Sequence, residues 1–342
     1  MLDERKCKIL QAIIDDYIST AEPIGSRTIA RKYNMGVGPA TIRNEMADLE
    51  ILGYLEQPHT SAGRIPSAKG YRFYVDCLMS RTELSDQEVN LINTWYNAKA
   101  RRLEEVFMET AKILSRLTHN VSLVVAPQFS QSTFKYMQFL PLDEQRIILV
   151  VVTDTGYLDN KIIPMPEGIS MAELQRVAAG INDRLSGLRF DQIKSSLLRE
   201  IKDDVIPNKE MFERTLEMLR QALSPGQKDR VYLGGTTQVL NQPEFRDLDK
   251  AKGLLNVLEE EQLLFDILHR QDAGGVVVTI GHENKFSGIQ DCSIIQATYR
   301  VDGQVVGKVA VLGPTRIEYG KVMSVLDFMH KHLGEILKKY GV

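Results

Sequence analysis

Residues 38–76 read GPATIRNEMADLEILGYLEQPHTSAGRIPSAKGYRFYVD, and this stretch decides the fold of the N-terminal region. With the periodicity of an α-helix, its first part has two distinct faces. One face carries Ile42, Met46, Leu49 and Gly53. On or beside the opposite face lie Ala40, Arg43, Asn44 and Ala47. Arg and Asn bind guanine and adenine edges bidentately, and alanine lets a helix approach a groove closely, so the pattern predicts a recognition helix.

The flanking segments predict a winged helix-turn-helix domain. Two helices precede the recognition helix, and Ser26 is placed to cap the second of them. Gly36 supplies the backbone freedom for the intervening turn, and Pro39 suits the first turn of the recognition helix. Two short strands then enclose a wing, and a further helix follows it. The predicted segments are helices Glu4–Ser19, Ile24–Tyr33, Gly38–Leu52 and Ser67–Met79 and strands Gly53–Glu56 and Arg64–Pro66.

Eleven residues of this region form the predicted DNA-contacting set. Arg43 and Asn44 are the expected base contacts, and Thr41 is an expected phosphate contact. The wing tip offers small hydrogen-bonding groups, a close backbone approach and one positive charge. The other members are Arg27, Ala40, His59, Thr60, Ser61, Arg64, Lys69 and Arg72. The competing interpretation is that the helix is an ordinary core helix of a three-helix bundle and that the basic residues of the set are solvated surface residues.

The composition is that of an ordinary soluble protein. The distribution of charge predicts that DNA binding needs two copies of the chain. The chain has 342 residues, 43% hydrophobic residues, 25% charged residues and a formal net charge of -3. Between Pro23 and Val75 there are seven basic and four acidic residues. This small excess of positive charge gives one copy only a weak attraction for DNA phosphates. The charged N-terminus MLDERKCKIL lacks the apolar core of a signal peptide, and no long apolar run suggests a membrane segment. We expect a cytoplasmic location and no membrane.

The rest of the chain predicts mixed α and β structure. A polar hinge at Arg81–Gln87 leads into a long helix or helix pair at 88–117. Strand 121–126 precedes a meander of strands 133–140, 146–153 and 157–163, and helices are predicted near 170–185, 191–203 and 209–223. A second sheet-rich region contains strands 231–234, 275–281, 293–300 and 304–312, with helices at 250–270 and 318–340. Asp302-Gly303 is a strong hairpin signal between the last two strands.

Several motifs together resemble one family. ATIRNEMADLE, followed by LGYLEQPHTSAGRIPSAKGYRFYVD, and later SIIQATYR and VAVLGPTRIEYGKVMSVLDFM are similar to the heat-inducible transcription repressor HrcA family. The resemblance spans most of the chain, and the middle block is its least distinctive part. It implies a dimeric repressor of chaperone operons that binds double-stranded DNA at an inverted-repeat operator. It also implies a partner, a GroEL-type chaperonin, on which activity depends and which heat diverts to unfolded clients.

The resemblance further implies an α+β multidomain fold. Its parts are an N-terminal winged helix-turn-helix domain (1–80), a linker helix with the first part of a GAF-like α/β domain (81–129), an inserted α+β dimerisation domain (130–228) and the remainder of the GAF-like domain with its antiparallel sheet (229–342). For this division, strand 121–126 must pair with strands after Arg230. A rival division leaves the meander in the GAF-like sheet and inserts only the helices.

No motif predicts catalysis, a cofactor or a metal. Cys7, Cys77 and Cys292 are far apart in sequence, without a CxxC or Cys/His cluster. Gly234-Gly235-Thr236-Thr237 resembles a phosphate-binding turn but lacks a Lys at Walker spacing, and the polar group at Gly281-His282-Glu283-Asn284 is more typical of a loop. We predict that the protein is not an enzyme. The alternative function is a ligand-sensing transcription regulator whose GAF-like domain binds a small molecule.

Overall fold

A computed structural model gives the architecture of the chain. It describes residues 2–59, 62–97, 103–126, 133–153, 158–165, 168–189, 193, 231–269, 275–301 and 303–339. Within these ranges the chain forms an N-terminal helical domain with a two-stranded wing, a five-stranded sheet (the central sheet) and a three-stranded sheet (the small sheet). No helix in the described ranges is long and apolar enough to cross a bilayer.

The N-terminal domain has the predicted order of helices and strands. It consists of α1 (Glu4–Thr20), α2 (Ser26–Lys32), α3 (Pro39–Ile51), β1 (Leu55–Glu56), β2 (Ile65–Pro66) and α4 (Ala68–Phe73), which a π-helical turn (Tyr74–Leu78) extends. The apolar face predicted for α3 is buried through Ile42, Met46 and Leu49, against the apolar stripe of α1. This packing fixes α3 with its other face turned outward.

The start of α2 corrects the prediction that Ser26 caps this helix. Ser26 does not cap α2: it is a buried residue of the first turn, and the N-cap is Gly25, which has no side chain to offer. Ser67 has that role at α4, where its hydroxyl accepts a hydrogen bond from the amide of Gly70. The two serines occupy similar sequence contexts, and a shift of one residue in the helix start decides which hydroxyl can reach an amide.

The central sheet is antiparallel throughout, in the order β7-β3-β10-β9-β8. Its strands are β3 (Val121–Val125), β7 (Val231–Gly234), β8 (Val276–Ile280), β9 (Cys292–Val301) and β10 (Gln304–Pro314). Helices cover both faces, which explains why β3 and β9 are buried along almost their whole length. One face packs against α6 (Leu103–Thr118) and α10 (Tyr319–Lys339), and the other against α8 (Leu248–Glu259) and α9 (Glu261–His269). A further helix, α5 (Asp86–Asn97), precedes α6.

The small sheet is a meander of β4 (Phe134–Pro141), β5 (Arg146–Thr153) and β6 (Leu158–Pro164). Helix α7 (Met171–Leu185) covers one face, and the two share a hydrophobic core of their own. Ser170 and Glu173 form a capping box at the start of α7. The predicted meander and helix 170–185 are confirmed, whereas the helices predicted at 191–203 and 209–223 lie outside the described residues.

The pairing of β3 with β7 is observed, with Ser122 opposite Gly234 and Val125 opposite Val231. Strand β3 also pairs with β10, the last strand of the sheet. The small sheet lies between β3 and β7 in sequence, and none of its described residues pairs with a strand of the central sheet. The strand pairing required by the first of the two divisions is therefore present, and the domain limits themselves stay a prediction.

Candidate nucleic-acid interface

The outward face of α3 carries the two predicted base-contacting side chains. Arg43 and Asn44 are exposed, as is Ala40, and Thr41 is half-buried. Among the described residues, none forms a hydrogen bond or an ion pair with the side chain of Arg43 or Asn44. Both side chains are therefore available to an external partner, and their donors match the acceptor edges of guanine and adenine.

The acidic residues of α3 form ion pairs with basic residues of α1 and of the wing. Lys6 Nζ lies 2.7 Å from Glu45 Oε2 and 3.2 Å from Asp48 Oδ2, and Arg5 lies 3.4 Å from Glu45 Oε1. Hydrogen bonds to Glu45 and then to Asp48 raise the pKa of Lys6. The sequence interpretation missed this role of Arg5 and Lys6, since the partners are about 40 residues apart. The consequence is that these ion pairs reduce the negative field that Glu45 and Asp48 place beside Arg43.

Arg27 and His59 also remain exposed. Arg27 lies near the start of α2, and His59 follows the first wing strand. Their side chains have no hydrogen-bond partner among the residues that the structure describes. Thr60 and Ser61, the other predicted wing-tip contacts, lie outside the described residues. Arg27 and His59 therefore keep the availability that a phosphate contact requires.

Arg64 has a different environment from the one predicted. Its Nε and NH2 atoms each lie 2.7 Å from Glu50 Oε2, and its side chain is 20% exposed. Its backbone pairs with Ile24, so that the residue ties the wing to the segment before α2. The guanidinium thus anchors the wing on the end of α3. This arrangement argues against the expectation that Arg64 is a free charge for DNA.

Lys69 and Arg72 are likewise bound within the protein. Lys69 Nζ donates to the carbonyl of Leu52 at the end of α3, 2.8 Å away, and lies over the ring of Tyr54. Arg72 faces the central sheet: its Nε donates to Glu283 Oε1 at 2.8 Å, and its NH2 donates to the carbonyl of Val278 at 2.7 Å and to Glu283 Oε2. Glu283 therefore neutralises the charge of Arg72 in this structure, and the predicted DNA contact of Arg72 stays a prediction.

The two motifs of the C-terminal half have structural explanations. A Cβ atom on Gly234 would lie 2.3 Å from the carbonyl oxygen of Ala111, and one on Gly235, at φ +64°, would lie 1.7 Å from Ser115 Oγ. Both glycines therefore allow β7 to lie close to α6, which accounts for them without a phosphate. In the second motif, Glu283 binds Arg72, and the buried amide of Asn284 donates to the carbonyls of Ile289 and Cys292. The described residues contain no cluster of His, Cys, Asp or Glu suited to a metal ion.

Comparison with known proteins agrees with this geometry. A family model described as "Winged helix-turn-helix transcription repressor, HrcA DNA-binding" matches residues 1–76, the segment that contains α3 and the wing. A second, "HrcA protein C terminal domain", matches residues 104–323. The chain belongs to the HrcA family of heat-inducible transcription repressors. The resemblance drawn from the sequence motifs is thereby confirmed, and a repressor family is not a class of enzymes.

Similar HrcA proteins match along almost their whole length. The heat-inducible transcription repressor HrcA of Pelotomaculum thermopropionicum is 47% identical over 339 residues, covering 99% of this chain and 97% of the relative. That of Symbiobacterium thermophilum is 46% identical over 337 residues, covering 98% and 99%. A crystal structure titled as a hypothetical protein at 2.2 Å resolution matches with a TM-score of 0.67 at 24% identity, over 99% of this chain and 100% of that one. It supports the fold alone.

Proposed function

We propose that this HrcA-family repressor binds an inverted-repeat operator of chaperone operons as a homodimer, with activity that depends on a GroEL-type chaperonin. The observation that carries the proposal is the outward face of α3, where Arg43 and Asn44 are exposed and have no side-chain partner among the described residues. Arg43 and Asn44 contact bases in the major groove. Arg27, Thr41, His59, Thr60 and Ser61 contact the phosphate backbone, and Ala40 allows the helix to lie close to the groove floor.

The small local charge excess supports the need for two copies. One N-terminal domain offers few basic side chains that have no ion-pair partner among the described residues. It therefore releases few counterions from DNA and binds weakly. Two copies on one duplex raise the affinity because the second contact becomes intramolecular. A two-fold dimer is also what an inverted repeat matches.

The outer face of the small sheet supports the dimerisation role of the segment 130–228. Strand alternation directs Met137, Phe139 and Leu149 to the core with α7, and it places further apolar side chains on the opposite face. On that face Leu140, Ile148 and Ile162 form one row across the three strands. Ile162 is 60% exposed, and Tyr136 is 43% exposed. An apolar sheet face of this kind is typical of an interface, and we assign it to a second copy of the chain.

The remainder of the proposal follows from membership of the family. The strand β3 pairs with β7 across a long intervening segment, which supports a GAF-like domain (81–129 and 229–342) with an insertion at 130–228. A repressor of chromosomal operons works in the cytoplasm. When heat produces unfolded clients, the chaperonin is diverted from the repressor, and the operons are transcribed.

DNA binding through α3 is tested with the full-length protein and Arg43→Ala. The probe is a fluorescent duplex selected by the wild-type protein from a random-sequence library. We expect an inverted repeat to emerge, and Arg43→Ala to weaken its binding by about 1–3 kcal/mol per half-site, since a bidentate base contact is lost. The matched control is Lys252→Ala, which removes one exposed positive charge from α8. Equal affinities of Arg43→Ala and the control would contradict the assignment of α3.

Chaperonin dependence has its own measurement. The same probe is titrated with protein refolded in the presence and in the absence of chaperonin, and the fraction of protein that is competent to bind is compared. We expect a larger competent fraction with chaperonin. If the fractions are equal, the dependence is rejected while the DNA-binding proposal stands.

A further inference from the structure

Two arginines connect the N-terminal domain to the central sheet from different sides. Arg72 of α4 reaches Glu283 and the carbonyl of Val278, at the end of β8. Arg316, in the loop between β10 and α10, donates from NH1 to the carbonyl of Ile18 in α1, 3.1 Å away. These contacts are separated by 211 and 298 positions in the sequence, so each one joins two parts of the fold.

Hydrogen-bond acceptors of neighbouring residues fix the position of both guanidinium groups. Arg316 is 13% exposed, and its Nε and NH2 atoms bind Glu244 at 2.5 Å and Gln242 at 2.9 Å. Glu283 Oε2 also accepts from the amide of Ile280 at 2.8 Å, which fixes the carboxylate that receives Arg72. A guanidinium with several fixed acceptors has a single preferred position, because its donors form a planar, rigid fork.

Buried aromatic residues of the N-terminal domain pack against the start of α10. The rings of Tyr71 and Tyr74 lie 5.9 and 6.5 Å from the ring of Tyr319, the first residue of α10. The buried apolar residues of the N-terminal domain and those on one face of the central sheet form one continuous core. A Cβ atom on Gly320 would lie 2.5 Å from the carbonyl oxygen of Ser80, so the connecting segment itself lies against α10.

We propose that Arg72, Glu283 and Arg316 form a latch that positions the N-terminal domain, and that this latch sets which half-site spacing the dimeric repressor accepts. The inference rests on the proposed function, since it needs two copies on one operator. With α3 fixed to the central sheet, the distance and rotation between two recognition helices follow from how the two chains are joined. One inserted base pair moves a half-site by about 3.4 Å along the duplex and rotates it, and a rigid pair of heads cannot follow.

The latch and a direct DNA contact make opposite predictions for Glu283. If Arg72 contacted phosphate, removal of the Glu283 carboxylate would free its charge and strengthen binding to a single half-site. If Arg72 positions the domain, loss of either partner leaves half-site binding unchanged and affects only binding to two half-sites at the wrong spacing. Arg72 and Glu283 are therefore positioning residues, distinct from the contacts of α3.

The test uses Arg72→Gln, Glu283→Gln and Arg316→Gln in the full-length protein. Dissociation constants are measured for a single half-site, for the selected inverted repeat and for duplexes with one, two or five base pairs added between the half-sites. The controls are Arg246→Gln and Glu335→Gln, which remove exposed charges that have no partner among the described residues. We expect the variants to lose about tenfold in discrimination between the selected and the altered spacings, with half-site affinity within twofold of wild type.

Three outcomes overturn the latch. These are a spacing preference as sharp as that of wild type in all three variants, a half-site affinity that falls with Arg72→Gln, and a half-site affinity that rises with Glu283→Gln. A second measurement needs no DNA: trypsin cleavage after Arg81, in the segment that connects α4 to α5, is hindered while the neighbouring Ser80 lies against Gly320 of α10. We expect cleavage there about tenfold faster in the variants than in the controls, and equal rates reject the latch.

The two measurements separate the latch from the proposed function. If the wild-type protein selects no inverted repeat, the operator proposal fails, and the tryptic cleavage rates alone judge the latch. If the repeat is selected and cleavage is accelerated while the spacing preference is unchanged, the domain is latched but the latch does not set spacing, and the inference is rejected.

Discussion

Gly38 begins the recognition helix without a side-chain cap. It lies at the N-cap of α3 with φ -76° and ψ 165°, a conformation open to any residue, and a Cβ atom there would meet no atom within 4 Å. Ser in place of Gly38 would accept a hydrogen bond from an amide of the first turn. We expect Gly38→Ser to raise the free energy of unfolding by a few tenths of a kcal/mol, measured in urea.

Gly36 provides the matched control for this substitution. A Cβ atom on it would also meet no atom within 4 Å, but its φ is +65°. Gly36→Ser should lower the free energy of unfolding by about 1 kcal/mol, because an L side chain is strained in the left-handed region. A stabilisation of the same size in both variants would mean that serine acts on the unfolded chain and that the cap of α3 is irrelevant.

At the scale of elements, one ion pair joins α5 to α10. Glu88 binds Lys321, and hydrogen bonds from Lys321 and from the amide of Ser85 lower the pKa of Glu88 to about 2 from its ordinary value of 4.5. Both side chains are about one-fifth exposed, so the pair is only partly screened by solvent. We expect Glu88→Gln to lower the free energy of unfolding at pH 7 by about 1 kcal/mol.

The pH dependence of that loss has a definite sign. Because the folded protein holds the carboxylate at a lower pKa than the unfolded chain, the stabilisation is complete above about pH 4.5 and disappears as the pH falls toward 2. Urea midpoints of wild type and Glu88→Gln should therefore differ at pH 7 and converge as the pH falls through about 2. Glu335→Gln, an exposed carboxylate of α10, should show no such convergence. A difference that is constant between these pH values would assign the effect to packing.

The elements also show which features a sequence can reveal. The order of α1 to α4, the wing and the strand pairs with short turns were predicted, because apolar periodicity, caps and turn residues act within a few positions. The roles of Arg64, Arg72 and Arg316 were not, because each depends on an acceptor 14 or more positions away. An exposed arginine and a latched one have the same local pattern, and only tertiary structure distinguishes them.

On the scale of the whole molecule, the hydrophobic cores are organised unequally. The N-terminal domain shares one core with α6, α10 and a face of the central sheet, whereas the small sheet and α7 have a core apart from it. The outward face of α3 and the central sheet should therefore move as one unit. A dimer built on the small sheet would join two such units through an element whose core contains no residue of the N-terminal domain.

That arrangement predicts the effect of a charge on the outer face of the small sheet. Ile162→Lys would place an ammonium group in the row formed with Leu140 and Ile148, where a second sheet would deny it water. We expect the variant to sediment as a monomer at concentrations at which wild type is a dimer, and to bind a single half-site as wild type does.

Leu248→Lys is the control for this variant. Leu248 is 82% exposed at the start of α8, outside the small sheet, so its replacement adds the same charge without touching the proposed interface. It should sediment as wild type. If Ile162→Lys stays dimeric, or if both variants dissociate equally, the outer face of the small sheet is not the dimer interface. Loss of the inverted-repeat preference together with dissociation, while half-site affinity is retained, would tie operator recognition to the two-fold assembly.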